Sequence, residues 1–431
     1  MRRMLLSLAL ACASAACQGP PTSVANQCAP AWPAARAASA PAAPLATTPG
    51  LLWRVKVSGA SPNDWILLSG DAVAFTSGGR LFLRKRADGS DLGGRSSAAF
   101  ERVSSAVVDD AGNYYFVGQN AYSVDAKAAW RWMRPLEGAP GGNYYKDAPA
   151  AGRTSALAPD GTLYVGASDG ALYAIDTRDG SQKWRREVAS PKDGDRGPIV
   201  LGGIGGAVVT VTRSDSTRAS LFDARTGAPL QRWTSSAGPR FGVFFAPTLG
   251  IVTQRMADHG GPYPWMDIAV LDPCGATRWT LPASRPQWPV LIGPGEQLYV
   301  VERDDVTASA TFVSVYAPDG SKTLGPIAAA PPWAIGADGT MYGLQCDAPG
   351  HDGPSRLIAY DGATLAEKWR VELGASCPSA GPVIDGEGRL YFTWYIDHAT
   401  ELVAVQTTSP GLADAPWPAR RRDASGTAWV K

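Results

Sequence analysis

Hydrophobic residues in this chain come in short runs, each cut off within a few residues by Gly, Asp or Asn. The clearest stretch is "DGTLYVGASDGALYAIDTRDGSQKWRREV", residues 160–188. Turn residues bracket "TLYVGAS" and "ALYAID", and a third run carries Trp184. The runs are apolar or small nearly throughout, without polar alternation, so they predict short strands covered on both faces. The Asp-Gly pairs at Asp160 and Asp338 read as hairpin turns. They lack the spaced further carboxylates of a calcium loop.

The same order of turn, strand, loop and strand returns at 109–135, 203–233, 293–305, 336–347 and 386–406, with weaker copies from Ser69 and from Phe244 to Trp279. Taking the apolar run before each turn as a first strand, the copies begin near 64, 104, 154, 197, 245, 288, 332 and 380. A spacing of about 45 residues holding four strands is the pattern of a propeller blade. The last copy supplies three strands, ending near Gln406. Its outer strand is predicted at the other end of the chain, in "LLWRVKV", Leu51 to Val57, because that pairing closes the ring and removes both sheet edges. The fold class is therefore all-β, an eight-bladed propeller of four-stranded antiparallel blades closed by an N-terminal outer strand. The outer strand of the first blade, within 89–100, is weakly marked and leaves a seven-bladed count open.

The flanks behave differently. "MRRMLLSLALACASAAC" places Arg2 and Arg3 before an apolar run too short to span a bilayer, which predicts an exported chain with a signal peptide over 1–16. "SAAC", Ser14 to Cys17, resembles a bacterial lipobox, with Ser14 where Leu is usual; cleavage after Ala15 is the alternative. The resemblance implies a lipid on Cys17 and, with Gln18 next, an outer-membrane lipoprotein facing the periplasm or the cell surface. Residues 17–50 are Ala- and Pro-rich and predict a semi-extended tether, 51–409 the propeller, and 410–431 a tail. Lys plus Arg, 40, balance Asp plus Glu, 39, so no basic field offers itself to nucleic acid. A monomeric propeller is expected.

The copy at 160–184 closely resembles the PQQ-like repeat of bacterial eight-bladed propellers, and the resemblance runs from Leu51 to about Gln406. It implies that Trp53, Trp130 or Trp132, Trp184, Trp233, Trp279 and Trp369 dock each outer strand onto the next blade, with Leu324 a softer contact in the sixth copy. Asp125, Asp176, Asp223, Asp272 and Asp361 recur before the following turn, where a carboxylate accepts backbone N–H groups. The resemblance admits two other readings. One is a periplasmic alcohol or sugar dehydrogenase using pyrroloquinoline quinone and calcium. The other is a subunit of the outer-membrane protein assembly machinery. No adjacent cysteines and no evident hydride-abstracting set favour the dehydrogenase, so no cofactor is expected. The expected function is a non-catalytic scaffold for an envelope protein or glycan.

Departures from the repeat carry the remaining signal. All three histidines fall in loops between second and third strands, each beside an aspartate: Asp258 and His259, His351 and Asp352, Asp397 and His398. The corresponding loop of the sixth copy holds Arg303, Asp304 and Asp305. These residues form the expected ligand or partner face. Cys346 and Cys377 belong to the same face as a possible disulfide, subject to geometry. "DAPWPARRRDASGTAW", 414–429, and "PAWPAARAAS", 30–39, form a smaller repeat, expected to be a surface tail docking through Trp417.

Overall fold

The computed structural model describes residues 40–58, 65–101, 103–137, 155–167, 169–188, 196–204, 206–213, 217–235, 242–246, 248–257, 265–272, 276–284, 290–302, 311–346, 354–375, 381–396, 399–415 and 419. These form eight four-stranded sheets. In blades 1–7 the strands A to D follow chain order from the inner to the outer edge. Blade 3, for example, is Ser155–Leu157, Thr162–Gly166, Ala171–Asp176 and Gln182–Glu187. Blade 1 has its outer strand at Asp91–Ser96, which settles the count at eight.

Blade 8 takes its outer strand from the other end of the chain. Gly50–Ser58 pairs antiparallel with Ala399–Gln406, with Trp53 opposite Ala404 and Arg54 opposite Val403. Val383, Tyr391, Leu402 and Ala404 of blade 8 share one apolar cluster with Leu67, Phe75 and Phe116 of blades 1 and 2, and Trp53 packs against it. The seam is therefore sealed by core packing as well as by the ladder.

The blades are fastened by a ring set over a turn. Trp53, Trp132, Trp184 and Trp279 donate Nε1–H to the carbonyls of Arg86, Thr177, Ala224 and Pro318, each in the C-to-D turn of the next blade. Under each ring lies a glycine of that turn with positive φ: Gly89, Gly180, Gly227 and Gly320. A Cβ on Gly227 would come within 2.6 Å of the Trp184 ring. Glycine is needed there both for the backbone and for the approach of the ring. In blade 2 the docking ring is thus Trp132; Trp130 instead stacks on Phe100 at 5.6 Å, partly exposed. The side chain of Trp233 lies outside the described residues.

Two junctions lack the tryptophan, and both lack the glycine. Between blades 1 and 2, Arg95 reaches the carbonyl of Ala128 at 3.3 Å, and Ala128 has φ 62°. Between blades 6 and 7, Leu324 packs in the cluster that contains Leu365, whose φ is 55°. Where no ring needs the space, the turn carries a side chain. At the junction of blades 7 and 8 the ring is present but the turn is not, because the outer strand of blade 8 does not follow Gln406. The buried Trp369 Nε1 has no hydrogen-bond partner among the described residues. Trp184→Phe is accordingly expected to cost about 1 kcal/mol more than Trp369→Phe, the increment of its lost bond, in paired denaturant titrations.

Residues 40–49 and 407–412 lie together at the turn end of the ring. Residues 40–49 cross the A-to-B turns of blades 7 and 8, where Ala42 N–H donates to Ala337 and Leu45 N–H to the nearby Thr408 carbonyl. The described part of the tail runs along the inner edge of blade 7, not over the surface. Leu412 bridges Gly336, Ala419 bridges Ala334 and Ala413 N–H donates to Ile335, with Ala419 fully enclosed. Trp417 lies outside the described residues.

Candidate functional site

Every blade presents its A-to-B and C-to-D turns at one end of the ring and its B-to-C connections at the other. The two ends are built differently. At the turn end the recurring aspartates are consumed locally. Asp125 accepts from Lys127 and Ala129 N–H, Asp223 from Arg225 and Thr226, Asp272 from Ala276, and Asp361 from Ala363 and Thr364. Asp385, buried in blade 8, is held by Tyr391 at 2.9 Å and by the N–H groups of Glu387 and Arg389. Glu296 bridges blades 5 and 6 by accepting from Thr248 and Leu249 N–H. These carboxylates stabilise turns, and residues 40–49 and 407–412 cover part of the same end.

Asp176 shows the electrostatic consequence. The side chain of Arg178, at 2.7 Å, and its N–H hold the carboxyl down at about 2, with Lys183 helping from 3.9 Å. A depressed folded-state value stabilises the fold above the unfolded value near 3.8 and loses that contribution as pH falls towards 2. Because Arg178 is well exposed, screening limits the contribution to about 1 kcal/mol. Asp176→Asn is expected to remove that increment at pH 6 and to flatten the acid limb of stability between pH 4 and 2, read by urea titration across pH.

At the other end the connections differ by blade. In blades 1, 2 and 8 they are two residues long, 78–79, 118–119 and 397–398. In blades 5, 6 and 7 the bracketing strands stop at Ala257, Glu302 and Cys346 and resume at Trp265, Phe312 and Pro354. The longer B-to-C connections thus fall on three consecutive blades. Asp258, His259, Arg303, Asp304, Asp305, His351, Asp352, Asp397 and His398 all belong to these connections or to that of blade 8, and all lie outside the described residues. What the strands fix is that the segments leave from one end of neighbouring blades. Cys17 and Cys377 also lie outside, and Cys346 ends the B strand of blade 7.

Blade 3 shows what a short connection at this end does. Asp169 receives Tyr173 Oη at 2.6 Å, Arg185 at 2.8 Å and Ala171 N–H. Burial pushes its carboxyl up, but these bonds outweigh it and hold the group below the usual range. Arg185 extends the network to the exposed carboxylates of Glu137 and Glu187. Sequence reading passed over it because Asp169 and Arg185 look like ordinary turn and outer-strand residues until the strands bring them together.

Among the described residues no three His, Cys, Asp or Glu side chains converge on a metal position, and the inner strands bury Leu67, Val107, Leu157, Leu291, Ile292, Ile335 and Val383.

The family model described as outer membrane protein assembly factor BamB matches residues 143–246. No curated protein matches the chain in sequence. Among solved structures, the computationally designed Ika8 protein is 13% identical, covering 84% of this chain and 99% of its own with a TM-score of 0.54. The quinohemoprotein alcohol dehydrogenase ADHIIG from Pseudomonas putida HK5 is 12% identical, covering 86% and 78% with a TM-score of 0.50. BamB from Moraxella catarrhalis is 14% identical, covering 84% and 100%, with a TM-score of 0.49.

The fold is an eight-bladed all-β propeller, and residues 143–246 carry the PQQ-like repeat match. Within that class, residues 143–246 resemble the BamB family model, and the quinohemoprotein dehydrogenase shares the fold.

Proposed function

We propose that this chain is a non-catalytic scaffold of the bacterial envelope, anchored by a lipid on Cys17, which holds a protein or glycan on the B-to-C connections of blades 5–8. The observation that carries the reading is the division of labour between the two ends. Turn-end carboxylates are spent on the fold and partly covered by residues 40–49 and 407–412, whereas long connections rich in His and Asp leave from neighbouring blades at the opposite end. Long loops on a rigid scaffold are the usual carriers of recognition. The match of 143–246 to the BamB model favours a partner within an outer-membrane assembly complex.

A photocrosslinking residue placed at Asp304 or His351, with Lys127 at the turn end as control, tests the reading in native envelopes. Adducts from the first two positions alone are expected, and their mass separates protein from glycan. Adducts from Lys127 alone would overturn it. Dye-linked alcohol oxidation on adding pyrroloquinoline quinone and calcium would establish the enzymatic alternative instead.

A further inference from the structure

The outer wall of the ring is uneven. The large hydrophobic side chains exposed among the described residues are Leu51, Leu52, Leu92, Trp130, Met133 and Leu230, at 38–61%. Five of the six fall on the outer strands of three consecutive blades: Leu51 and Leu52 on blade 8, Leu92 on blade 1, and Trp130 and Met133 on blade 2. At the start of the outer strand, beside the turn end, blades 3, 5, 6 and 7 expose Gln182 and Lys183, Thr277 and Arg278, Lys322 and Thr323, and Glu367 and Lys368. Blades 8, 1 and 2 expose leucines and a tryptophan there instead; blade 4, apart from this arc, exposes Leu230.

The arc is continuous. Trp53 and Val55 pack over Gly89, just before the strand of Leu92. Arg95 bonds Ala128 and lies 5.0 Å from the Trp130 ring centre. The three strands also carry Arg54, Lys56, Arg95, Arg131 and Arg134 against one carboxylate, Asp91.

We infer that this arc is a membrane-contacting surface that seats the propeller against the headgroup region of a bilayer. The inference rests on the lipid-anchored reading above. Two observations favour a bilayer as the occupant. The chain enters the described structure at the turn end and reaches Gly50 directly before Leu51 and Leu52, so the tether delivers the arc first. Leucine and tryptophan with interspersed cations are the residues that partition into an anionic interface. Seated on the arc, the molecule carries blades 5 and 6 on the far side of the ring and blade 7 beside the arc, with their long connections at the end away from the tether.

The test uses the acylated full-length protein in vesicles of phosphatidylethanolamine and phosphatidylglycerol. A photocrosslinking residue replaces Leu92 or, on the opposite blade 5, Thr277. Phospholipid adducts at 92 exceeding those at 277 by at least about tenfold are expected, the ratio given by losing one large side chain's interfacial transfer energy. Equal yields, or none at 92 while the protein floats with vesicles and carries its acyl mass, would overturn the arc and leave the anchor standing. A protein adduct replacing the lipid adduct in native envelopes would assign the arc to a protein partner and overturn it as well. Absence of acyl mass, with no flotation, would remove the anchored reading and the arc with it.

Discussion

Gly227→Leu is expected to destabilise the propeller by roughly 3–4 kcal/mol, combining the cost of a left-handed backbone with overpacking against the ring. Gly227 has φ 67°, and the Cβ would lie 2.6 Å from Trp184 Cε3. Trp184→Ala is expected to cost about as much by leaving a cavity. The informative variant combines Trp184→Leu with Gly227→Leu. This chain already joins blades 6 and 7 with Leu324 and a left-handed Leu365, so leucine at both positions is a pairing that the architecture accepts. The double variant should fall short of the sum of its single effects by about 1–3 kcal/mol, measured by guanidinium titration. Strict additivity would show that ring and glycine are not coupled.

Removal of residues 50–58 is expected to have the larger effect, abolishing the monomeric fold. Its absence would open the ladder edge of Ala399–Gln406 and uncover the cluster shared by blades 8, 1 and 2. An exposed edge of that kind pairs with other chains. Size-exclusion chromatography should show soluble aggregates with lost near-ultraviolet dichroism, and a synthetic GLLWRVKVS peptide should restore part of the monomer. A monodisperse, fully dichroic truncated protein would mean that the first blade closes on the last without this strand.

The wheel was legible because a repeat states its rule many times. Trp184, Asp176 and Gly180 recur with their spacing, and Leu51 to Val57 was recognisable as the missing outer strand. Single departures were harder. Trp130 and Trp132 differ by two positions and by strand period would share a face; a bulge between them sets Trp130 opposite Val124 and Trp132 opposite Ser123, so the rings face opposite neighbours and only Trp132 meets the next blade. The substitution of Arg95 and Ala128 for ring and glycine has no pattern to announce it. The tail's course along blade 7 was not legible either, since 410–419 has no period and its bonds are to a strand some eighty residues earlier. The His- and Asp-bearing connections were legible as irregularities, but their side-chain geometry depends on loops that no repeat dictates.

The entry of the N-terminal segment also sets how the molecule carries load. A pull on the chain ahead of residue 40 would first unzip the separate bonds at Ala42, Leu45 and Thr47. It would then act lengthwise on Gly50–Ser58, whose ladder with Ala399–Gln406 must yield in shear, many bonds together. The strand that shuts the ring is thus also its mechanical clamp.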